Sequence, residues 1–170
     1  GRSRVATRAE RGGTDGASGA VQDRYGRRRI GCGCGPAKGE GLRIKSFRDG
    51  EGLRMAFQPQ TQHQAFPGVI NGGIIGALLD CHGNWTAAIV IMDRLGLEQP
   101  LCTVTAQYEV KLRRPTPFGP TLEVRSRVLV LEDDRAEIML ELKADGETCA
   151  TGHGLFVAVR EGHPAWHRWG

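Results

Sequence analysis

Residues 71–80 read Asn-Gly-Gly-Ile-Ile-Gly-Ala-Leu-Leu-Asp, and they open a long apolar stretch that contains one carboxylate. Asn71 is a residue type that caps helices, and mostly apolar residues continue as far as Met92. A buried carboxylate is costly unless it is paired, hydrogen-bonded, protonated or part of a site. Asp80 is therefore the first candidate functional residue, and a structural Asp bonded to Asn84 or to a neighbouring backbone is the alternative.

The neighbours of Asp80 on the same face of the expected helix are small. Side chains three, four and seven residues apart share one helix face. In this chain they are Gly73, Gly76, Ala77, Gly83, Asn84 and Ala87. Another backbone or a ligand can therefore approach Asp80 closely. The polar residues within the stretch favour a buried core helix over a membrane span.

The residues on either side of the helix predict strands. Residues 42–47 and 53–57 flank Arg-Asp-Gly-Glu-Gly at 48–52, whose residue types favour a hairpin turn. After the helix, strands are expected at residues 103–112, 121–131, 136–144 and 148–159. Such a sheet covers one apolar helix only if it curls around it, which gives an α+β fold. The open sheet edges favour pairing with a second copy of the chain.

Basic charge is concentrated at the start of the chain. Eight of the 23 basic residues lie within residues 1–29 beside three acidic residues, and the remainder carries 15 basic and 16 acidic residues. This Gly- and Arg-rich stretch has no apolar periodicity, which predicts a disordered tail over residues 1–30. One domain is expected over residues 31–162, followed by a tail over 163–170. The nearly neutral domain gives no support for nucleic-acid binding.

The origin of the basic tail has three interpretations: a native tail, an organelle transit peptide and a translation artefact. Its glycines and acidic residues disfavour the amphipathic helix of a transit peptide. The chain also has five cysteines, an odd number without a secretory signal, which favours a reducing compartment and a cytoplasmic location. Cys32 and Cys34 lack a second pair of ligands for zinc, so no metal is expected.

The motifs together resemble the hotdog-fold acyl-CoA thioesterases, in the branch similar to phenylacetate-pathway thioesterases. The resemblance lies in GVINGGIIGALLDCHGNWTAAIV at 68–90, TAQYEVKLRRPTPFGPTLEVRSRV at 105–128 and ADGETCATGHGLFVAV at 144–159. Residues 31–59 resemble an N-terminal extension of many members. The resemblance implies a curled antiparallel sheet around one central helix and a homodimer, possibly a dimer of dimers. It also implies hydrolysis of an acyl-CoA to a free acid and coenzyme A without a cofactor, and neither nucleic acid nor membrane is expected as a partner.

The resemblance assigns roles to residues at the start of the helix. Asp80 occupies the place of the catalytic Asp or Glu. The amides of Gly72 and Gly73 are expected to be free at the start of the helix, where they suit an oxyanion. Asn71 stands where the family usually has His, and Cys81 where an acidic residue often follows the catalytic one. The resemblance assigns substrate binding to Gly68, Gly73, His63 and Gln64. The side chains of His63 and Gln64 are the nearest polar candidates to hold the reacting water.

Two arginines before Pro115 have two interpretations. Arg113 and Arg114 could meet the phosphates of coenzyme A, or form a solvated strand end.

Helix geometry constrains how this machinery can act. Eight residues separate Gly72 from Asp80, which is about 12 Å of helix rise. One helix cannot place both groups on one carbonyl, whereas two antiparallel helices across a two-fold axis can. The sequence therefore predicts an active site at a dimer interface.

Two other classes of protein stay open. A hotdog hydratase or dehydratase shares the fold, although the chain lacks the Asp-x-Asn-Pro-x-His run typical of hydratases. A non-catalytic acyl-CoA-binding protein is the other class, and Asn71 in place of His favours it.

Overall fold

A helix of 24 residues, α2 (Gly72–Leu95), forms the centre of the structure, a computed structural model that describes residues 19–28, 33–36 and 39–166. Asn71 caps its start, and Gly96 ends it in the left-handed conformation at φ 66°. The helix is long and apolar enough to cross a membrane. However, 67% of its most apolar segment of 18 residues is buried inside the domain. It is therefore a core helix, as the sequence predicted.

One antiparallel sheet wraps this helix in the strand order β1-β2-β6-β7-β8-β5. Its strands are β1 (Ser46–Asp49), β2 (Gly52–Phe57), β5 (Thr103–Leu112), β6 (Leu122–Leu131), β7 (Arg135–Ala144) and β8 (Glu147–Ala158). A short 3-10 turn (Thr61–His63) and a small hairpin of β3 (Gln64–Phe66) and β4 (Val69–Ile70) lead into the helix. Because α2 packs against β2, β5, β6, β7 and β8 and hydrogen-bonds to Ser46 of β1, the sheet must curl around it. The predicted α+β fold is confirmed.

Gly83 lets the helix lie close to the sheet. A Cβ atom at this position would lie 2.6 Å from Cζ of Phe156, which is fully buried on β8. A side chain at this position would collide with Phe156, so packing requires glycine here, and the helix runs on without a break.

The N-terminal part of the chain differs from the prediction of a tail over residues 1–30. Residues Val21–Tyr25 form a short helix, α1, and Val21 packs in a buried cluster with Leu53 and Trp85. The boundary was predicted wrongly because five helical residues are too few to show apolar periodicity. Residues 1–18 and 29–32 lie outside the described part of the chain.

The C-terminal boundary also differs from the prediction. The Cys102 thiol, just before β5, donates to the carbonyl of Ala165 at 2.9 Å, so the chain still contacts the sheet at this residue. The domain thus extends beyond residue 162, and residues 167–170 lie outside the described part of the chain.

A buried polar chain fastens α1 to the core. His82 is fully buried, and its Nδ1 lies 2.7 Å from the hydroxyl of Ser46, which in turn accepts from Gln22 at 3.0 Å. The other ring nitrogen lies 3.1 Å from the carbonyl of Leu53. A carbonyl only accepts, so Nε2 carries the proton and Nδ1 accepts from Ser46. Burial lowers the pKa of His82 to about 4, against which the bond to Leu53 acts weakly.

Protonation of His82 should destabilise the fold in mild acid. The pKa of His82 falls from its ordinary 6.5 in the unfolded chain to about 4 in the folded chain. The neutral ring therefore contributes its full share to the stability of the fold above pH 6.5, and this contribution is lost as the pH falls towards 4. Between pH 7 and 4.5 the loss is roughly 2 to 3 kcal/mol by linkage. Urea unfolding at both pH values should show His82→Gln to be less pH-dependent than the wild type by this amount. His153→Gln, at an exposed histidine, is the matched control, and equal pH dependence in all three proteins would contradict the assignment.

Candidate active site

The Asp80 carboxylate lies half-buried between α2 and β5. Its Oδ1 accepts a hydrogen bond from the hydroxyl of Thr105 at 2.6 Å. Within the described part of the chain, no hydrogen bond engages Oδ2. Asn84, the partner expected if Asp80 were purely structural, instead accepts from the Thr103 hydroxyl at 2.6 Å. One oxygen is therefore held in place while the other is available to a ligand.

Thr105 is a site residue that the sequence analysis missed. The pairing of β5 with β8 shifts register between Thr105 and Gln107, so Ala106 is an extra residue in the strand. This β-bulge lets Thr105 face α2 together with Tyr108, although simple alternation would place them on opposite faces. Sequence alternation alone could not have identified it.

Strand β5 lies over Gly76, one of the small residues predicted on the face of Asp80, and over Gly72 at the start of the helix. A Cβ atom on Gly72 would lie 3.2 Å from Cδ1 of Leu112, and one on Gly76 would lie 3.7 Å from the hydroxyl of Tyr108. The backbone expected to approach Asp80 closely is thus a strand of the same subunit. Along β5, Leu112 marks the level of Gly72 and Thr105 marks the level of Asp80.

The amides at the start of α2 differ in whether the Asn71 side chain engages them. The Asn71 side chain accepts from the Gly73 amide at 2.7 Å, so the prediction that both glycine amides are free was wrong for Gly73. No hydrogen bond engages the Gly72 amide among the residues described. It points from the positive end of the helix dipole, where an anion is stabilised.

His63 and Gln64 hold the loop before the helix. The ring of His63 accepts from the amide of Gln60 at 3.0 Å, and its carbonyl accepts from the Asn71 amide at 2.9 Å. Burial lowers the pKa of His63. The Gln64 side chain accepts from the Gly68 amide at 2.8 Å. These contacts position the entry to α2, and the predicted substrate-binding roles of His63, Gln64 and Gly68 stay predictions.

The two arginines lie at the end of β5 nearest Gly72, and both are exposed. Arg113 donates to the Thr151 hydroxyl at 3.2 Å and lines a groove of about 570 Å³ on the outer face of the sheet. Arg114 pairs with Glu147 at 2.7 Å. Within one subunit neither arginine is brought beside Asp80. Among the residues described, no group of three His, Cys, Asp or Glu side chains could hold a metal ion.

Solved structures provide the comparison. The chain is similar to a thioesterase superfamily protein from Shewanella loihica PV-4, with 30% identity, a TM-score of 0.59 and coverage of 74% of this chain and 98% of that one. It is similar to a thioesterase from Thermus thermophilus complexed with coenzyme A and Zn, at 23% identity, TM-score 0.52 and coverage of 66% and 82%. It is also similar to the E. coli PaaI protein of the phenylacetic acid degradation operon, at 18% identity, TM-score 0.58 and coverage of 70% and 81%.

Neither a family model nor a curated protein matches the chain. The curled antiparallel sheet around one central helix defines a hotdog fold. At 30% identity over almost the whole Shewanella protein, the chain belongs to the thioesterase superfamily. The Thermus and E. coli proteins show the fold alone.

The cap at Asn71 makes a prediction that does not depend on activity. Asn71→Ala removes the acceptor for the Gly73 amide and should lower the free energy of unfolding by about 1 kcal/mol, a typical value for a lost N-cap. Asn71→Asp keeps an acceptor at the same place and should stay close to the wild type. Urea unfolding measures both variants, and an Asn71→Ala protein as stable as the wild type would show that the cap contributes nothing.

Proposed function

We propose that this protein hydrolyses an acyl-CoA to a free acid and coenzyme A, in active sites formed between two copies of the chain. The observation that carries the proposal is the Asp80 carboxylate, which is held at one oxygen by Thr105 and left open at the other. Membership of the thioesterase superfamily supports thioester hydrolysis as the reaction. A carboxylate fixed in this way suits a general base that acts on a water molecule.

The homodimer follows from the separation of the two functional groups. The Gly72 amide and Asp80 lie about 12 Å apart along the helix, too far for one carbonyl. A second copy in antiparallel orientation can place its Gly72 amide beside Asp80. Strand β5 supports this arrangement because it is an edge strand, and its Tyr108 and Leu112 side chains are 47% and 57% exposed. Large apolar side chains on an open edge favour burial against another subunit.

The proposed reaction proceeds through a tetrahedral intermediate. Asp80 takes a proton from a water molecule as the water oxygen bonds to the thioester carbon. The carbonyl oxygen becomes an oxyanion, which accepts a hydrogen bond from Gly72 of the partner subunit. The carbon–sulfur bond then breaks, and the coenzyme A thiolate leaves with its electron pair and takes up the proton held by Asp80, which restores the carboxylate. Thr105 keeps the carboxylate orientated and is a positioning residue. Direct attack by Asp80 on the carbonyl is the second possible route.

The coenzyme A part of the substrate carries phosphates, which arginines bind well. Arg113 and Arg114 directly follow Leu112, whose side chain meets the start of α2 at Gly72. In the proposed dimer, the Arg113 and Arg114 of one subunit lie next to the site that contains Asp80 of the other. We therefore assign them to the phosphates. The Thermus neighbour was crystallised with coenzyme A, which supports this class of ligand for the fold. We also propose a cytoplasmic location, from the cysteine content alone.

A non-catalytic acyl-CoA-binding protein is the second candidate function. The observation that favours it is Asn71, an uncharged residue at the position where related thioesterases usually have His. Asn71 nevertheless caps the helix and leaves the Gly72 amide free, which are the properties the proposed reaction needs. A panel of acyl-CoA thioesters assayed by release of free thiol separates hydrolysis from binding alone.

Removal of the base should abolish most of the activity. Asp80→Asn keeps the size of the side chain and can still accept from Thr105, but it no longer takes a proton from water. We expect kcat to fall on the order of a hundredfold to ten-thousandfold. Asp93→Asn is the matched control, since Asp93 is exposed on the same helix and pairs with Arg48. An Asp80→Asn protein that is folded and as fast as the wild type would make Asp80 structural.

Loss of the Thr105 hydroxyl should affect the reaction rather than substrate binding. Thr105→Val keeps the shape of the side chain but leaves Asp80 without its donor, so we expect kcat to fall about tenfold with KM nearly unchanged. Thr105→Ser restores a hydroxyl and should recover most of the rate. Steady-state kinetics with one acyl-CoA tests both variants. A change in KM alone, or no rescue by serine, would contradict a positioning role.

A further inference from the structure

The contacts between β5 and α2 determine how two edge strands must pair if the proposed site is to form. Leu112 marks the level of Gly72 and Thr105 marks the level of Asp80. An oxyanion donor from the partner can reach Asp80 only if Leu112 of the partner subunit lies opposite Thr105. Residues directly opposite in an antiparallel pair share a face, and both of these side chains face the helices.

This register places a two-fold axis close to the middle of β5. Ala106 is the extra residue of the bulge and takes no place in the pairing. When Leu112 of one strand lies opposite Thr105 of the other, the residue at the centre of the pairing is therefore Glu109. Tyr108 therefore lies immediately beside the axis, opposite Val110 of the partner subunit. Each Tyr108 stands between the two active sites and one helical turn from its own Asp80.

The surroundings of Tyr108 suit an apolar group. Its ring lies over Gly76, with the hydroxyl 3.7 Å from the position of a Cβ atom there, and 47% of the residue is exposed in the single subunit. Between Asp80 and the axis, Gly76 meets Tyr108, and Val110 follows on the same face of β5, and none of these residues carries a charge. The phosphates of coenzyme A gain nothing on this side, so the acyl group must take it.

We propose that Tyr108 is the specificity-determining residue, whose ring forms the end wall of the acyl pocket and limits the length of acyl group that the enzyme accepts. This inference rests on the proposed function and names the part of the substrate that the ring contacts.

The test is the ratio of kcat/KM for decanoyl-CoA to that for butyryl-CoA, measured by release of free thiol. Tyr108→Ala removes the wall and should raise this ratio at least about tenfold, the usual effect of changed apolar fit in a pocket. Tyr108→Leu should raise it less, and Tyr108→Phe should leave it unchanged because the ring is kept. Gln107→Ala is the matched control, since Gln107 is the preceding residue and pairs with Leu155 on the outer face of the sheet.

The possible outcomes separate this inference from the proposed function. Wild-type protein that hydrolyses no thioester overturns both. Wild-type protein that is active and dependent on Asp80, with an unchanged ratio in folded Tyr108→Ala and Tyr108→Leu, overturns the role of Tyr108 alone. A Tyr108→Phe ratio as large as that of Tyr108→Ala would also overturn it, because the phenol rather than the bulk of the ring would then select the substrate.

Discussion

The close approach of β5 to α2, along a row of residues with little or no side chain, is the contact on which the rest of the structure depends. Gly72 and Gly76 admit Leu112 and Tyr108, and the same approach brings the Thr105 hydroxyl to Asp80. A residue larger than alanine at Gly72 or Gly76 would have to displace Leu112 or Tyr108, because a Cβ atom alone would already lie 3.2 Å and 3.7 Å from these side chains. Core packing and the geometry of the candidate site are therefore set by one interface within the subunit.

This interface also explains why a helix so apolar can carry a carboxylate. Asp80 has a hydroxyl donor at 2.6 Å and is only half-buried, so it avoids the full cost of desolvation. On another face of the helix, His82 and Ser46 are buried completely and satisfied by each other, with Gln22 completing the chain. The helix thus has a polar group open to a ligand on one face and a closed polar network on another.

Much of the fold could be predicted because its signals are local. Alternating burial, turn residues and the cap at Asn71 gave the central helix and the four-strand meander almost residue by residue. The bulge at Ala106 and the short helix α1 could not be predicted, because a one-residue shift and a five-residue helix depend on tertiary contacts that leave no periodic pattern. Asp80 and Gly72 are candidates that the sequence alone suggests, whereas the contact of Thr105 with Asp80 depends on the bulge and could not be predicted. The Gly73 amide was wrongly predicted to be free, because the sequence does not show that the Asn71 side chain reaches it.

In the proposed dimer each active site takes Asp80 from one subunit and Gly72 from the other. Complementation between two inactive variants tests this arrangement most directly. Gly72→Pro removes the amide proton while keeping the helix, because Gly72 is the first helical residue and Asn71 has the extended conformation (φ −62°, ψ 132°) that proline requires before it. Gly72→Ala keeps the proton and is the matched control. Gly72→Pro and Asp80→Asn, each inactive alone, would be unfolded and refolded together. With random pairing, the mixture should recover about a quarter of the wild-type rate, since half of the dimers are mixed and each of these has one complete site. A mixture that forms mixed dimers and stays at background would show that both residues act within one subunit.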